Sequence, residues 1–252
     1  MPARRQKRPL EDTLRKYLDD NNAWVERRFG GTSGETLGKF LGCGSWGCAW
    51  MFGEEVLKVT TDPSEATNVA MIGRQFSRQE LPGVVYTHKL CRGPGHVKDH
   101  KTGKTTRVWL YLREYIEPFT HRDEANLRVY SGGKTALEHV QKAGWKWLRA
   151  PKGRRAQYVS AYLHGVDILR DELPLVADAM ETLWEDQGLL LADVHLGNIG
   201  WARRDLRSSS GGPGTKSKRS EDLRDYEVVI FDLGQSSKTA SRGVDLVERC
   251  DA

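Results

Sequence analysis

The sequence has no long apolar run. Its 252 residues are 38% hydrophobic and 29% charged, and the longest candidate, Gly188 to Ala192, is far shorter than the roughly 20 residues that a membrane span needs. The opening residues, MPARRQKRPLEDT, show no apolar stretch after their basic residues, which argues against a secretory signal. These absences predict a globular, cytoplasmic protein without a membrane partner.

Closely paired cysteines are also lacking. Cys43, Cys48, Cys91 and Cys250 form no CxxC pair, so the sequence predicts neither a zinc site nor a disulfide framework, and a reducing compartment is expected. The 39 Lys and Arg outnumber the 34 Asp and Glu, for a net charge of +5, which suits an anionic ligand without identifying one. Because the basic runs are short and poor in aromatics, nucleic acid is not an expected partner.

The chain divides by pattern into three regions. Residues 1–34 contain a basic head and an amphipathic helix from Leu10 to Phe29. Residues 35–117 alternate like strands around one helix that Asp62 can cap, and residues 118–252 are mostly helical, with short apolar strands predicted at 189–192 and 227–231. A Gly/Ser-rich basic insertion covers about 203–225. The pattern predicts an α+β fold, with a β-rich N-terminal lobe and a helical C-terminal lobe that is short for the fold that the motifs below resemble.

A glycine-rich loop lies between the first two predicted strands. The segment LGCGSWGCA places GxGxxG at Gly42, Gly44 and Gly47, with Ser45 inside it. A dinucleotide-binding loop needs a helix directly after the glycines, whereas a strand is predicted here. Between two strands, such a loop can bring backbone N–H groups against phosphates without obstruction by side chains. An ordinary glycine-rich hairpin is the alternative.

A lysine interrupts the next apolar strand. Lys58, in VLKV, is costly to bury unless an anion meets it. A nucleotide phosphate and a helical carboxylate would do so, with Glu65 the nearest candidate and Glu80 the alternative. The other interpretation is a lysine on the solvent face of an edge strand.

Two carboxylates follow apolar segments in the C-terminal half. Asp193 opens a polar loop after LLLA, and Asn198 comes five residues later. Asp193 could accept a proton from an attacking hydroxyl, Asn198 could bind a metal, and His195 could position the loop or contact a phosphoryl oxygen. Asp232 ends the strand VVIF and is a candidate Mg²⁺ ligand. Turn chemistry is the alternative explanation for each residue.

The order of these features resembles the protein-kinase-like superfamily: glycine loop, strand lysine, helix glutamate, Asp with Asn five residues on, and a DFG-type triplet, here Asp232–Gly234. The DxHxxN loop is more similar to compact bacterial and phage kinases, and to aminoglycoside and choline kinases, than to eukaryotic ones. The resemblance implies a bilobal kinase-like fold and a hinge near 113–116, where the Glu114 carbonyl and Ile116 amide would hold adenine.

The resemblance further implies an ATP- and Mg²⁺-dependent phosphotransferase. Gly42, Gly44, Ser45 and Gly47 would cover the phosphates, and Lys58, held by Glu65, would orient them. Asn198 and Asp232 would bind Mg²⁺, while Asp193 and His195 would act at the acceptor. The expected acceptor is a Ser or Thr hydroxyl of a protein. A small hydroxylated molecule, as in the aminoglycoside kinases, and a pseudokinase that binds nucleotide and serves as an interaction module are the alternatives.

Overall fold

The computed structural model describes residues 9–30, 36–76, 80–98, 103–119, 136–203 and 226–234. The predicted basic head and nearly all of the predicted insertion at 203–225 lie outside these residues. In the described part of the chain, no helix is both long and apolar enough to cross a membrane.

The chain forms two compact units. One contains Met1–Met71 and Thr87–Tyr115, and the other contains Ile72–Tyr86 and Ile116–Thr239. Both helices and antiparallel strands are present, so the predicted α+β class is confirmed. The proposed domain limits at 34/35 and 117/118 stay predictions.

The first unit is built on a five-stranded antiparallel sheet in the order β1-β2-β3-β7-β4. Its helices and strands are α1 (Pro9–Asp20), α2 (Asn22–Phe29), β1 (Leu37–Cys43), β2 (Gly47–Phe52), β3 (Glu55–Thr60), α3 (Pro63–Gln75), β4 (Thr87–Arg92), β5 (Val97–Lys98), β6 (Thr105–Thr106) and β7 (Trp109–Arg113). Helix α3 continues four residues into the second unit, and β5 and β6 pair as a separate hairpin.

The core of this unit forms from the alternating apolar residues of the strands and from the apolar face of helix α1. Leu14 and Leu18 of α1 are buried in one cluster with Trp50, Leu57 and Leu110 of the sheet. Helix α3 begins where the sequence predicts, because the Asp62 side chain accepts a hydrogen bond from the Ser64 N–H at 2.8 Å.

The second unit combines three helices with a small sheet. Its elements are β8 (Glu117–Pro118), α4 (Ala136–Arg149), α5 (Arg155–Arg170), α6 (Pro174–Gln187), β9 (Ile199–Arg203) and β10 (Tyr226–Ile230). The strands pair antiparallel in the order β10-β9-β8. Helix α6 ends at Gly188, whose φ of 60° lies in the left-handed region that glycine adopts readily.

Two predicted elements differ from the structure. The single helix from Leu10 to Phe29 is two helices, separated by a turn at Asn21. Residues 189–192 do not form a strand; only Leu191 makes an isolated bridge. These four residues are nevertheless at most 2% exposed, and Leu190 and Ala192 lie against Gly144 of helix α4. The run of apolar residues therefore indicates that this segment is buried, and does not indicate that it pairs as a strand.

The expectation that the cysteines form no disulfide is wrong, because Cys43 and Cys48 are bonded to each other. The two residues lie directly opposite in the β1–β2 register, with their Cα atoms 4.0 Å apart. The CxxC spacing that marks metal and redox motifs does not apply to this pair. A hairpin brings together residues five apart just as directly.

Candidate functional site

The glycine-rich loop connects β1 to β2 as a tight hairpin. The Gly44 N–H donates to the Gly47 carbonyl at 2.9 Å. The Trp46 carbonyl accepts from both the N–H and the hydroxyl of Thr61, at 2.8 and 2.9 Å. Because Thr61 follows β3 directly, these bonds hold the loop against the end of the strand that carries Lys58.

The three glycines of the loop differ in how strongly the surrounding structure requires glycine at each position. A Cβ on Gly47 would come within 2.7 Å of the Val59 carbonyl oxygen, so close packing on β3 requires glycine there. A Cβ on Gly42 or Gly44 would meet nothing within 4 Å. The backbone of Gly42, with a φ of 159°, is one that other residues rarely adopt, whereas nothing in the packing explains Gly44, and the space beside Gly44 could admit a ligand such as a phosphate.

Lys58 lies in a buried charged cluster on the sheet of the first unit. Its Nζ forms an ion pair with Glu65 Oε1 of helix α3, and the two side chains are 10% and 4% exposed. The Tyr111 hydroxyl donates to the same Glu65 oxygen at 2.7 Å. Of the two glutamates considered, Glu65 is thus the one that pairs with Lys58.

The strand register explains how Tyr111 joins this cluster. Tyr111 of β7 lies directly opposite Lys58 of β3, and directly opposed residues project from the same face of a sheet. Tyr111 was not predicted from the sequence. The hydroxyl group within the apolar strand WLYLR hints at a polar role for Tyr111, but this role can be recognised only when β7 is known to pair with β3.

The predicted hinge follows β7. Glu114 is 6% exposed and Ile116 is 3% exposed. The Arg113 guanidinium, also buried, donates to the Glu114 carbonyl at 3.4 Å. The Glu114 carbonyl is the one expected to accept a hydrogen bond from adenine. An adenine bound there would therefore share this carbonyl with Arg113.

The loop from Asp193 to Asn198 is internally ordered in the second unit. Asn198 ends a short 3-10 turn and is 8% exposed. Its Nδ2 donates to the Asp193 carbonyl at 2.8 Å, which leaves the amide oxygen as its candidate metal ligand. The loop therefore fixes the separation of Asp193 and Asn198.

His195 is held by the same loop. Its Nδ1 accepts from the Gly197 N–H at 3.0 Å, and its Nε2 lies 3.8 Å from Asp193 Oδ1. A Cβ on Gly197 would come within 2.9 Å of the ring, so glycine lets the imidazole lie close to the backbone. Since Nδ1 accepts, the neutral ring carries its proton on Nε2, facing Asp193.

Asp232 follows β10 beside this loop. The Phe231 N–H donates to the Asn198 carbonyl at 2.9 Å, which joins the end of β10 to the end of the 3-10 turn. One Asp232 carboxylate oxygen accepts from the Gly234 N–H at 3.1 Å. The structure thus places Asp232 beside the loop that carries Asp193 and Asn198.

The Asp193 carboxyl has a raised pKa, chiefly because it is partly buried. His195 lowers this pKa, the Asp232 carboxylate raises it, and a hydrogen bond from the Gln141 side chain lowers it. The Asp232 carboxylate acts in this direction because a nearby negative charge disfavours ionisation of Asp193. A carboxylate with a raised pKa binds a proton more readily, which suits a group that receives one from a hydroxyl.

Gln141 is a second residue near Asp193 that was not predicted from the sequence. It lies on helix α4, one turn before Gly144, where a Cβ would come within 2.8 Å of the Ala192 Cα. This close approach places α4 directly against the residue that precedes Asp193. No motif marks Gln141, because its role depends on two segments about 50 residues apart in the chain.

The donor set around Asp193 fits Mg²⁺ better than a transition metal. It offers carboxylate and amide oxygens, and Mg²⁺ is commonly held by one or two carboxylates together with water and substrate phosphates. Among the described residues, no group of three or more His, Cys, Asp or Glu could hold a metal ion. Asp232 and Asn198 could therefore hold Mg²⁺ only together with ligands from a bound substrate or water.

Comparison with known proteins finds likeness in structure only. No protein-family model and no curated protein matches the chain. The solved structures that match include the BubR1 kinase domain, at 13% identity and a TM-score of 0.36, covering 96% of this chain. The chain spans 64% of the length of that kinase domain.

Two further matches are aminoglycoside phosphotransferases. One is a mutant 2'-phosphotransferase IIIa in a GDP complex, at 10% identity and a TM-score of 0.35, covering 92% of this chain and 82% of that one. The other is APH(2")-IIIa with GDP and kanamycin, at 12% identity and 0.36, covering 92% and 84%. These neighbours belong to the protein-kinase-like superfamily that the motifs resemble. At such low TM-scores the likeness assigns no activity, so function is inferred below from the chain's own residues.

Proposed function

We propose that this protein is a kinase that transfers the γ-phosphoryl group of ATP to a hydroxyl in the presence of Mg²⁺. The observation that supports it most is the grouping of Asp193, Asn198 and Asp232, two interacting carboxylates and an amide joined by the Phe231–Asn198 hydrogen bond. Turn chemistry alone gives no reason for two carboxylates to share a partly buried site, since each disfavours ionisation of the other.

Each residue has a proposed role. Asp232 and Asn198 would hold Mg²⁺, which when bound would neutralise charge on the phosphates. Asp193 would orient the acceptor hydroxyl and receive its proton, with His195 holding the Asp193 side chain in place. Catalysis would come from positioning and electrostatic stabilisation rather than from a covalent intermediate.

Residues of the first unit, together with Ile116 of the second, would act on the nucleotide. Lys58, held by Glu65 and Tyr111, would orient the α- and β-phosphates, and the loop residues Gly42, Gly44, Ser45 and Gly47 would cover them. The Glu114 carbonyl and the Ile116 amide would hold adenine. The buried Lys58–Glu65 pair supports this role, because a preformed pair presents the ammonium group in one position.

The proposed acceptor is a Ser or Thr hydroxyl of a protein, and a small hydroxylated molecule is the second candidate. The test incubates the purified chain with γ-labelled ATP and Mg²⁺, first with a protein mixture and then with a panel of sugars and amino alcohols. Labelled protein supports the first acceptor, and labelled small molecules support the second.

Two variants accompany this assay. Asp193→Ala and Asp232→Ala should each abolish transfer, while circular dichroism shows the fold to be retained. Transfer by Asp193→Ala at the rate of the unchanged protein would overturn the proposal. Binding of nucleotide without any transfer by the unchanged protein would instead favour the pseudokinase alternative.

A further inference from the structure

A disulfide closes the glycine-rich loop at its base. Cys43 is the last residue of β1, Cys48 is the second residue of β2, and the bond between them encloses Gly44 to Gly47. Three of the four residues proposed to cover phosphates therefore lie inside a small covalent ring. No other proposed role in the protein involves either sulfur.

The two cysteines differ in access. Cys48 is 1% exposed, whereas Cys43 is partly exposed. With the bond open, the Cys43 thiolate is thus the group that an external disulfide can reach, and Cys48 lies directly opposite it in the strand register. This arrangement of an accessible thiol beside a buried one suits thiol–disulfide exchange.

The disulfide completes the restraint of the loop. The Trp46 carbonyl is already bound by Thr61, and Gly44 is bonded to Gly47. These hydrogen bonds hold the tip, whereas the disulfide holds the two strand ends from which the loop departs. Opening the disulfide would leave the loop held by hydrogen bonds alone and would increase its conformational freedom.

We propose that Cys43 and Cys48 form a reversible modification site that exchanges with low-molecular-weight disulfides of the glutathione type and thereby sets the rigidity of the glycine-rich loop. The Cys43 thiolate attacks the small disulfide, forms a mixed disulfide and releases one small thiol. Cys48 then loses its proton and attacks the Cys43 sulfur, which closes the protein disulfide and releases the second small thiol. The two protein thiols are oxidised, and one small disulfide is reduced to two thiols.

The consequence for nucleotide binding rests on the proposed function. A loop already held in its bound shape loses less conformational freedom when phosphates bind. The bonded form should therefore bind an ATP analogue roughly two- to tenfold more tightly than the reduced form.

The experiment equilibrates the full chain in glutathione buffers of graded redox poise. Differential alkylation followed by peptide mapping measures the Cys43–Cys48 bond, hydrogen–deuterium exchange measures the amides of 42–48, and calorimetry measures the affinity for a non-hydrolysable ATP analogue. We expect the bond to form and open reversibly, with slower amide exchange and tighter nucleotide binding in the bonded form. Cys43→Ser should remove all three responses, and Lys16→Ala, a change at an exposed side chain of α1, should keep them.

The outcomes separate the two proposals. Failure of the bond to form in any buffer, or equal amide exchange in the two states, would overturn the modification site whether or not nucleotide binds. A reversible bond with equal nucleotide affinity in both states would overturn the effect on binding and leave the kinase proposal standing. Absence of nucleotide binding in both states, with the bond and exchange responses intact, would overturn the kinase proposal alone.

Discussion

Two charged clusters, Lys58 with Glu65 and Asp193 with Asp232, differ in the sign of the charge that lies near each group. In the first unit, Lys58 and Glu65 form a buried ion pair, and Tyr111 supplies a further hydrogen bond to the glutamate. In the second unit, Asp193 lies near Asp232, a group of like charge, and its side chain is 27% exposed. One cluster contains a buried pair of opposite charges, and the other places two carboxylates near each other at a partly exposed loop.

This difference indicates different tasks. A buried ion pair has little freedom to respond to a ligand, and removing one partner leaves an uncompensated buried charge. Two carboxylates near one another gain from an added cation or proton, since either relieves their repulsion. We therefore expect the Lys58 cluster to hold a fixed cation in place, and the Asp193 cluster to bind metal and exchange protons. The predictions below test that contrast, beginning with the largest effect.

Asp193→Asn should lower phosphoryl transfer by about 10²- to 10⁴-fold, because the amide cannot accept the hydroxyl proton. The stability at pH 7 should not fall. The pKa of Asp193 is raised in the folded state, so its ionisation favours the unfolded chain, and this cost is present at pH values above the folded-state pKa. Labelled-ATP assays and chemical denaturation at pH 7 measure the two effects, and a marked loss of stability would contradict the contrast.

Lys58→Ala should lower the free energy of unfolding by about 3–5 kcal/mol, because Glu65 would remain buried without its cation. The matched control is Lys16→Ala, which breaks the exposed Lys16–Asp20 pair on α1, whose side chains are 75% and 57% exposed. That change should cost at most about 1 kcal/mol. Urea denaturation measures both values. Equal losses would show that burial does not make the Lys58–Glu65 pair more important to stability than an exposed pair.

Gly47→Ala should destabilise the protein by about 1–3 kcal/mol, because the new methyl group would collide with the Val59 carbonyl. Gly44→Ala should leave stability nearly unchanged, since nothing lies within 4 Å of its added Cβ, but should weaken binding of an ATP analogue. Thermal melting and calorimetry separate the two effects. Unchanged affinity in Gly44→Ala would count against a phosphate beside that glycine.

Gln141→Leu should shift the acidic limb of the pH–activity profile to higher pH. Gln141 lowers the pKa of Asp193, so its loss raises that pKa and leaves less of the active carboxylate at low pH. The exposed neighbour Lys142→Ala serves as the control. A profile that keeps its acidic limb while its maximum falls would show that Gln141 has only a structural role.

The sequence predicted the parts of the fold whose signals are local. The helix after Asp62 and the strand Glu55–Thr60 begin where the pattern places them, because a capping side chain and apolar alternation act over a few residues. The break at Asn21 and the pairing of Cys43 with Cys48 were not predicted. Both depend on which neighbours the backbone meets after it folds.

The candidate site divides in the same way. Local patterns and their order in the chain selected Lys58, Asp193, Asn198 and Asp232, since each residue has a recognisable context: a lysine in an apolar strand, an Asp with an Asn five residues later, and an Asp that ends an apolar strand. Only the tertiary structure decided that Glu65 pairs with Lys58, that Tyr111 shares that glutamate, and that helix α4 packs against the residue before Asp193. Strand register and helix packing bring those partners together, and both are set by contacts between segments that lie far apart in the chain.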